Sequence, residues 1–199
     1  FIYIMGLKKK ASLNILSSNL SDYANKQKFD IINLHWINNE MMSLKELENF
    51  DGKIVWTLHD AWPIEDFFHY TEIKYPFSKN FFISKILSLL KKKKKFFLNK
   101  KKINIVCPSH WIKNYAINNS ILKINNSIVI RNPINLKFWK PIKLKKNKKR
   151  IILFGSVDVN SDTRKGLNNF LKKLNKISKH LPNFKLCIFG SNQIKYSNL

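Results

Sequence analysis

Glycine is scarce, with five in 199 residues. No G-x-G-x-x-G, G-x-x-x-x-G-K-[ST] or G-x-S-x-G can be assembled from them. That excludes the ordinary dinucleotide fingerprint, a Walker loop and a nucleophile elbow. H-E-x-x-H is missing too. The two cysteines, Cys107 and Cys187, lie in the apolar runs "INIVCPS" and "FKLCIFG". They read as small buried residues rather than a disulfide or metal framework, which fits a reducing, cytoplasmic setting. No apolar run approaches the ~20 residues of a membrane-spanning helix. "FIYIMGLKKK" puts its apolar stretch before its charge, the reverse of a signal peptide. It does not open with Met, so the natural start is expected upstream.

Acidic residues are also few: 12 Asp and Glu stand against 37 Lys and Arg, a formal charge of +25. Such an excess ordinarily suggests nucleic acid or an anionic membrane. Arginine, however, is confined to Arg131, Arg150 and Arg164. Base readers rely on the bidentate arginine fork, which is nearly absent here. The abundant Lys, Asn, Ile and Phe share A/T-rich codons, so the charge reads as compositional bias and a nucleic-acid partner is disfavoured.

What is present is an alternation of short apolar runs with longer amphipathic pieces, the α/β pattern. Strands are predicted at "FDIINLHW" (29–36), "KIVWTLHD" (53–60), "INIVCPS" (103–109) and "SIVIRNP" (127–133). Helices are predicted in "SSNLSDYANKQK", with Ser and Asp near its start for capping, in "MMSLKELENF", and in "SHWIKNYAINNSIL" with Ser109 as N-cap. A Lys-rich linker over 142–148 separates this first domain, 1–141, from a second, 149–199. There "RIILFGS", "LNNFLKKLNKISKHL" and "FKLCIFGSN" spell one β-α-β unit. One such unit buries little surface, so the second domain reads as incomplete.

Residues 84–102, "SKILSLLKKKKKFFLNKKK", read as a helix with a charged end. Either that end is simply solvated, or Lys91, Lys92, Lys93, Lys94 and Lys95 dock onto an anionic membrane, each lysine near the surface adding ~1 kcal/mol.

The polar residues that end the strands are the candidates for chemistry: His35, Trp36, His59, Asp60, Ser109 and Asn132, with the loop 156–166 in the second domain. Ends of parallel strands gather along one sheet edge, where binding crevices form. A lone histidine at such an end is more often a hydrogen-bonded structural residue; several together shift the balance. Lys165, ahead of Gly166 at a predicted helix start, suits an anionic partner, because a cation at the positive end of a helix is otherwise unfavourable.

In this order, "DIINLHWINN", "GKIVWTLHDAWPIEDFFHYT", "VCPSHWIKNYAINNSIL", "IVIRNPINLKFWKP" and "ILFGSVDVNSDTRKGLNNFLKKL" resemble family 4 glycosyltransferases of the bacterial exopolysaccharide and lipopolysaccharide type. The likeness covers nearly the whole chain, and T-x-H-D-x-W-P is its most specific part. The resemblance implies a GT-B architecture, an acceptor-side Rossmann-like domain facing a nucleotide-sugar domain. It implies transfer of a sugar, with retention, from a nucleotide-sugar to a saccharide or lipid-linked acceptor. No metal or other cofactor is expected. By the same resemblance His59 faces the transferred sugar, and Asp60 orients His59 or contacts acceptor hydroxyls. Trp36, Trp62, His35 and His69 line the acceptor side, though core packing competes as a reading for each Trp. Lys165 binds the donor phosphates with Gly155 and Ser156.

The chain departs from the family in three places. After H-D-x-W-P comes "IEDFFHYTEIKYPF" instead of a Gly-rich, Cys-containing stretch. Gly155-Ser156 stands where many relatives have Gly-Arg, leaving Arg164 as a substitute phosphate ligand. The family's two glutamates seven residues apart fall beyond residue 199. The sequence therefore reads as truncated at both ends, with little transferase activity expected of these residues alone. The alternative is a non-catalytic membrane- or saccharide-binding protein docked through the Lys-rich segment; under either reading the expected location is the cytoplasm or the inner face of the membrane.

Overall fold

The computed structural model describes residues 12–70, 81–119, 121–124, 126–141, 150–157, 163–178, 180 and 184–190. The first eleven residues, the linker expected at 142–148 and residues 158–162 of the loop 156–166 fall outside them. Contacts divide the chain into two compact units, Phe1–Ile134 and Asn135–Leu199.

In the first unit, β1 (Ile31–His35), β2 (Lys53–Thr57), β3 (Ile103–Cys107) and β4 (Asn126–Val129) form a wholly parallel sheet in the order β1-β2-β3-β4. The class is α/β, and the sheet is compatible with a Rossmann-like fold. Register explains the core. Ile32 pairs with Ile54, Leu34 with Trp56, and Ile54 with Ile103, so alternate residues share one face. On that face Leu34, Ile54, Trp56, Ile103, Ile105 and Cys107 are buried. Each large apolar side chain buried this way contributes about 1.5–3 kcal/mol.

The elements packed on it are a 3₁₀ helix (Leu44–Asn49), α2 (Phe81–Leu98) and α3 (His110–Asn119), which supply Leu44, Leu47, Leu98, Ile112 and Ala116 to the same core. The other face differs from a doubly wound sheet, which is covered on both sides. Ile31 and Ile128 there are 61% and 57% exposed. Strand order supplies the reason. Every crossover steps in the same direction, and right-handed crossovers that never reverse put their connections on one side.

Local chemistry sets the helix starts. Ser109 Oγ accepts the Ile112 N–H at 3.4 Å, the N-cap expected for α3. By contrast, α1 (Leu20–Lys26) starts after Asn19, at φ 59°, with no side-chain cap bond. Its first amide is served from elsewhere: the Leu20 N–H donates to Glu46 at 3.0 Å. Glu46 closes a capping box with Ser43 at the start of the 3₁₀ helix and also accepts from the Ser18 amide and hydroxyl.

Burial raises the Glu46 pKa, but the hydrogen bonds from Ser43 and Ser18 outweigh it and leave the carboxyl below its usual range. A depressed carboxyl stabilises the fold above its unfolded pKa and loses that contribution as pH falls through the folded value. Glu46→Gln is therefore expected to flatten the acid limb of a urea-midpoint-against-pH curve. An unchanged acid limb would show that Glu46 does not carry it.

In the second unit, β5 (Arg150–Ser156) and β6 (Phe184–Gly190) pair in parallel from Arg150 with Phe184 to Ser156 with Gly190. They are joined through α4 (Leu167–Ser178), so the expected β-α-β unit is present. Leu167 and Leu174 are buried, and Phe154 stacks on Phe170 at 5.0 Å. Cys107 and Cys187 are both free. Cys107 is buried, and burial raises its thiol pKa against the opposing charge of Lys113. No helix among the described residues is long and apolar enough to cross a membrane.

Candidate functional site at the sheet edge

The carboxyl ends of β1 and β2 are neighbours because His35 lies opposite Thr57 in the ladder. Two residues past Thr57 the chain presents His59, whose Nε2 lies 2.8 Å from His35 Nδ1. Both residues are exposed. One ring donates and the other accepts, so the pair shares a single N–H and leaves its remaining ring atoms open to a ligand.

Beside them, Trp36 has left the strand with φ 45° and stands 40% exposed. A bulky residue in the left-handed region is strained by about 1–3 kcal/mol and persists where its surroundings hold it. Here the holder is Asp60, whose Oδ2 accepts the Trp36 Nε1–H at 3.1 Å.

Asp60 is engaged by four donors within the protein. The same Oδ2 also accepts from Asn38 Nδ2 at 3.1 Å and from His69 Nδ1 at 2.7 Å, while Oδ1 accepts the Trp62 amide at 3.1 Å. This corrects one expectation: Asp60 orients Trp36, Asn38 and His69 rather than His59.

His69 and Trp62 are corrected likewise. They are 2% and 0% exposed and line no open surface. His69 stands behind Asp60, with its Nε2 3.0 Å from Ser12 Oγ. In the tautomer that gives Nδ1–H to Asp60, Nε2 accepts the Ser12 hydroxyl proton. Serine, histidine and carboxylate thus stand in the order of a nucleophilic triad. Ser12 is only 2% exposed, and its Oγ also accepts the Asn39 amide. No substrate reaches it, so the chain is an orienting relay. Trp62 Nε1 donates to the Ser12 carbonyl at 2.8 Å, tying the relay to the core.

Lys94 holds the segment that follows. Its ammonium donates to the carbonyls of Trp62 (2.5 Å), Glu65 (3.0 Å) and Asp66 (2.8 Å), and lies 3.7 Å from the Trp62 ring centroid. Three acceptors require three N–H groups, which only the charged form has. Burial pushes the Lys94 pKa well down, opposed by the carboxylates of Asp66, Asp60 and Glu65. At 2% exposure Lys94 offers nothing to a membrane, which corrects its assignment to a docking strip. Lys91 is paired with Asp66 at 2.7 Å, while Lys92, Lys93 and Lys95 are exposed.

From β3, Trp111 follows Ser109 at the same edge, 63% exposed and stacked on Tyr115 at 5.7 Å. Tyr115 donates its hydroxyl to Glu65. Burial, that hydrogen bond and the Glu65 charge push its pKa up to about 12.

The second unit, taken by itself, places Gly155 and Ser156 at the end of β5. A Cβ on Gly155 would stand 2.0 Å from the Phe189 ring, so any side chain there displaces that ring. Ser156 Oγ is buried and finds no hydrogen-bond partner among the described residues. Arg164 and Lys165 form a 3₁₀ turn with Thr163, both exposed, and Gly166 at φ 76° then admits α4. Lys165 therefore stands at a helix start, as the sequence pattern anticipates. Among the described residues no three His, Cys, Asp or Glu side chains gather as metal ligands would.

Sequence reasoning missed Ser12, Asn38 and the inward role of Lys94. Only the last left a signal: Leu87, Leu90, Lys94 and Phe97 follow one helical stripe. Compared with family models, curated proteins and solved structures, the chain finds no match.

Proposed function

We propose that the first unit is the acceptor-side half of a GT-B glycosyltransferase and that the second opens its nucleotide-sugar half. The reaction is retaining transfer of a sugar to a saccharide or lipid-linked acceptor, serving cell-surface polysaccharide synthesis at the inner face of the membrane. One observation carries the reading: the exposed His35–His59 pair at the carboxyl edge of a parallel sheet, beside Trp36, which Asp60 holds from behind. Imidazole N–H and N groups suit sugar hydroxyls, and a flat indole suits a sugar face. The resemblance around T-x-H-D-x-W-P supports it independently.

In this mechanism His59 donates a hydrogen bond to the transferred sugar and His35 fixes its ring. Lys165, with Arg164 and the amides that open α4, offsets negative charge developing on the departing nucleoside diphosphate. No step requires a metal.

A glycan array probed with the labelled chain tests the acceptor side. Saturable retention on a defined set of glycans is expected, weakened roughly tenfold in His59→Ala, the loss of about one hydrogen bond. Retention on no glycan, or retention indifferent to His59→Ala and Trp36→Ala, would overturn the assignment.

A further inference from the structure

Away from the sheet edge, a cavity of about 270 Å³ opens between the segment before α1, the 3₁₀ helix and α2. Its walls are mostly apolar, formed by Leu13, Ile15, Leu44, Phe67, Leu90 and Phe97. Asn14, Ser17, Ser43 and Asn49 stand among them. Its charges are Lys45, Lys93 and Lys94 against the single carboxylate of Glu46. They do not weigh equally. Glu46 is occupied by the Ser43, Ser18 and Leu20 donors, and Lys94 by three carbonyls. Lys45 and Lys93 are exposed, and Lys93 lies 5.9 Å from the Phe97 ring centroid, at the rim of the apolar wall.

The geometry points to a binding site for a single alkyl chain with an anionic head: the chain against the leucines and phenylalanines, the head between Lys45 and Lys93. The volume lies just under the ~300–1,000 Å³ of pockets for drug-sized ligands, which suits one unbranched chain better than a bulky ring system. Charge complementarity selects the head, since the two uncommitted charged groups at the cavity are both cations. The site stands apart from the glycosyl-transfer reading and needs none of its residues.

Isothermal titration with decyl phosphate, kept below its micelle-forming concentration, tests it against decyl maltoside and inorganic phosphate. Expected is one molecule bound per chain, with both comparison ligands at least about tenfold weaker. Lys45→Glu with Lys93→Glu, both surface changes, is expected to weaken decyl phosphate by about tenfold or more at an unchanged thermal midpoint. Leu90→Trp, which fills the cavity, is expected to remove binding. Binding of many molecules per chain, equal affinity for the maltoside, or affinity untouched by either variant would each overturn the site.

Discussion

Replacing Lys94 by methionine is expected to cost about 3–5 kcal/mol, the loss typical of breaking one side of a buried charged contact. The methionine stem fills similar space, but the carbonyls of Trp62, Glu65 and Asp66 lose their donor at once. Each buried polar group left unpaired costs about 1–3 kcal/mol, and the stack on the Trp62 ring disappears as well. Against a typical domain stability of about 5–15 kcal/mol, that removes a large share. Urea unfolding followed by tryptophan fluorescence measures it directly. Lys92→Met, at an exposed position two residues back on the opposite helix face, is the control and is expected to change stability by less than about 0.5 kcal/mol. Equal effects for the two would mean that the lysine run is uniformly solvated.

The second large effect is at Asp60. Asp60→Asn keeps the shape but turns one acceptor into a donor, which then faces donors in either orientation: Trp36 Nε1, Asn38 Nδ2 and His69 Nδ1 at the Oδ2 position, or the Trp62 amide at the Oδ1 position. A loss of about 2–4 kcal/mol is expected, within the range for breaking a buried hydrogen-bonded network. The consequence reaches the surface, because the strained Trp36 backbone loses its holder. Near-ultraviolet circular dichroism and fluorescence quenching of Trp36 by iodide are expected to show a more mobile indole, even in buffer where the protein stays folded. Unchanged quenching at unchanged stability would show that Asp60 does not hold Trp36.

These two residues also mark what the sequence made legible. The four strands were readable because each is a short apolar run closed by polar residues, and parallel pairing follows from the amphipathic pieces between them. The strand-end candidates followed from the same rule, and His35, Trp36 and His59 do meet at one edge. Which groups touch did not follow. The family resemblance offered Asp60 as one partner for His59, whereas strand register supplies His35. Ser12 is 57 positions from His69, and nothing in local pattern connects them. Lys94 was hidden by its neighbours, since one lysine among five looks solvated unless helical spacing is followed through the run. The exposure of Ile31 and Ile128 on the outer sheet face was equally hidden, because strand order and crossover direction are tertiary facts.

The measurement that tests the central claim most directly is a titration of the whole chain with UDP-glucose, UDP-galactose, UDP-N-acetylglucosamine and GDP-mannose, following backbone amide resonances. A nucleotide-sugar site requires saturable shifts at Ser156 and at Lys165, Gly166 and Leu167, lost in Lys165→Ala. Shifts with none of the four, or shifts that survive Lys165→Ala unchanged, would contradict the account and leave a saccharide-binding unit without a donor site.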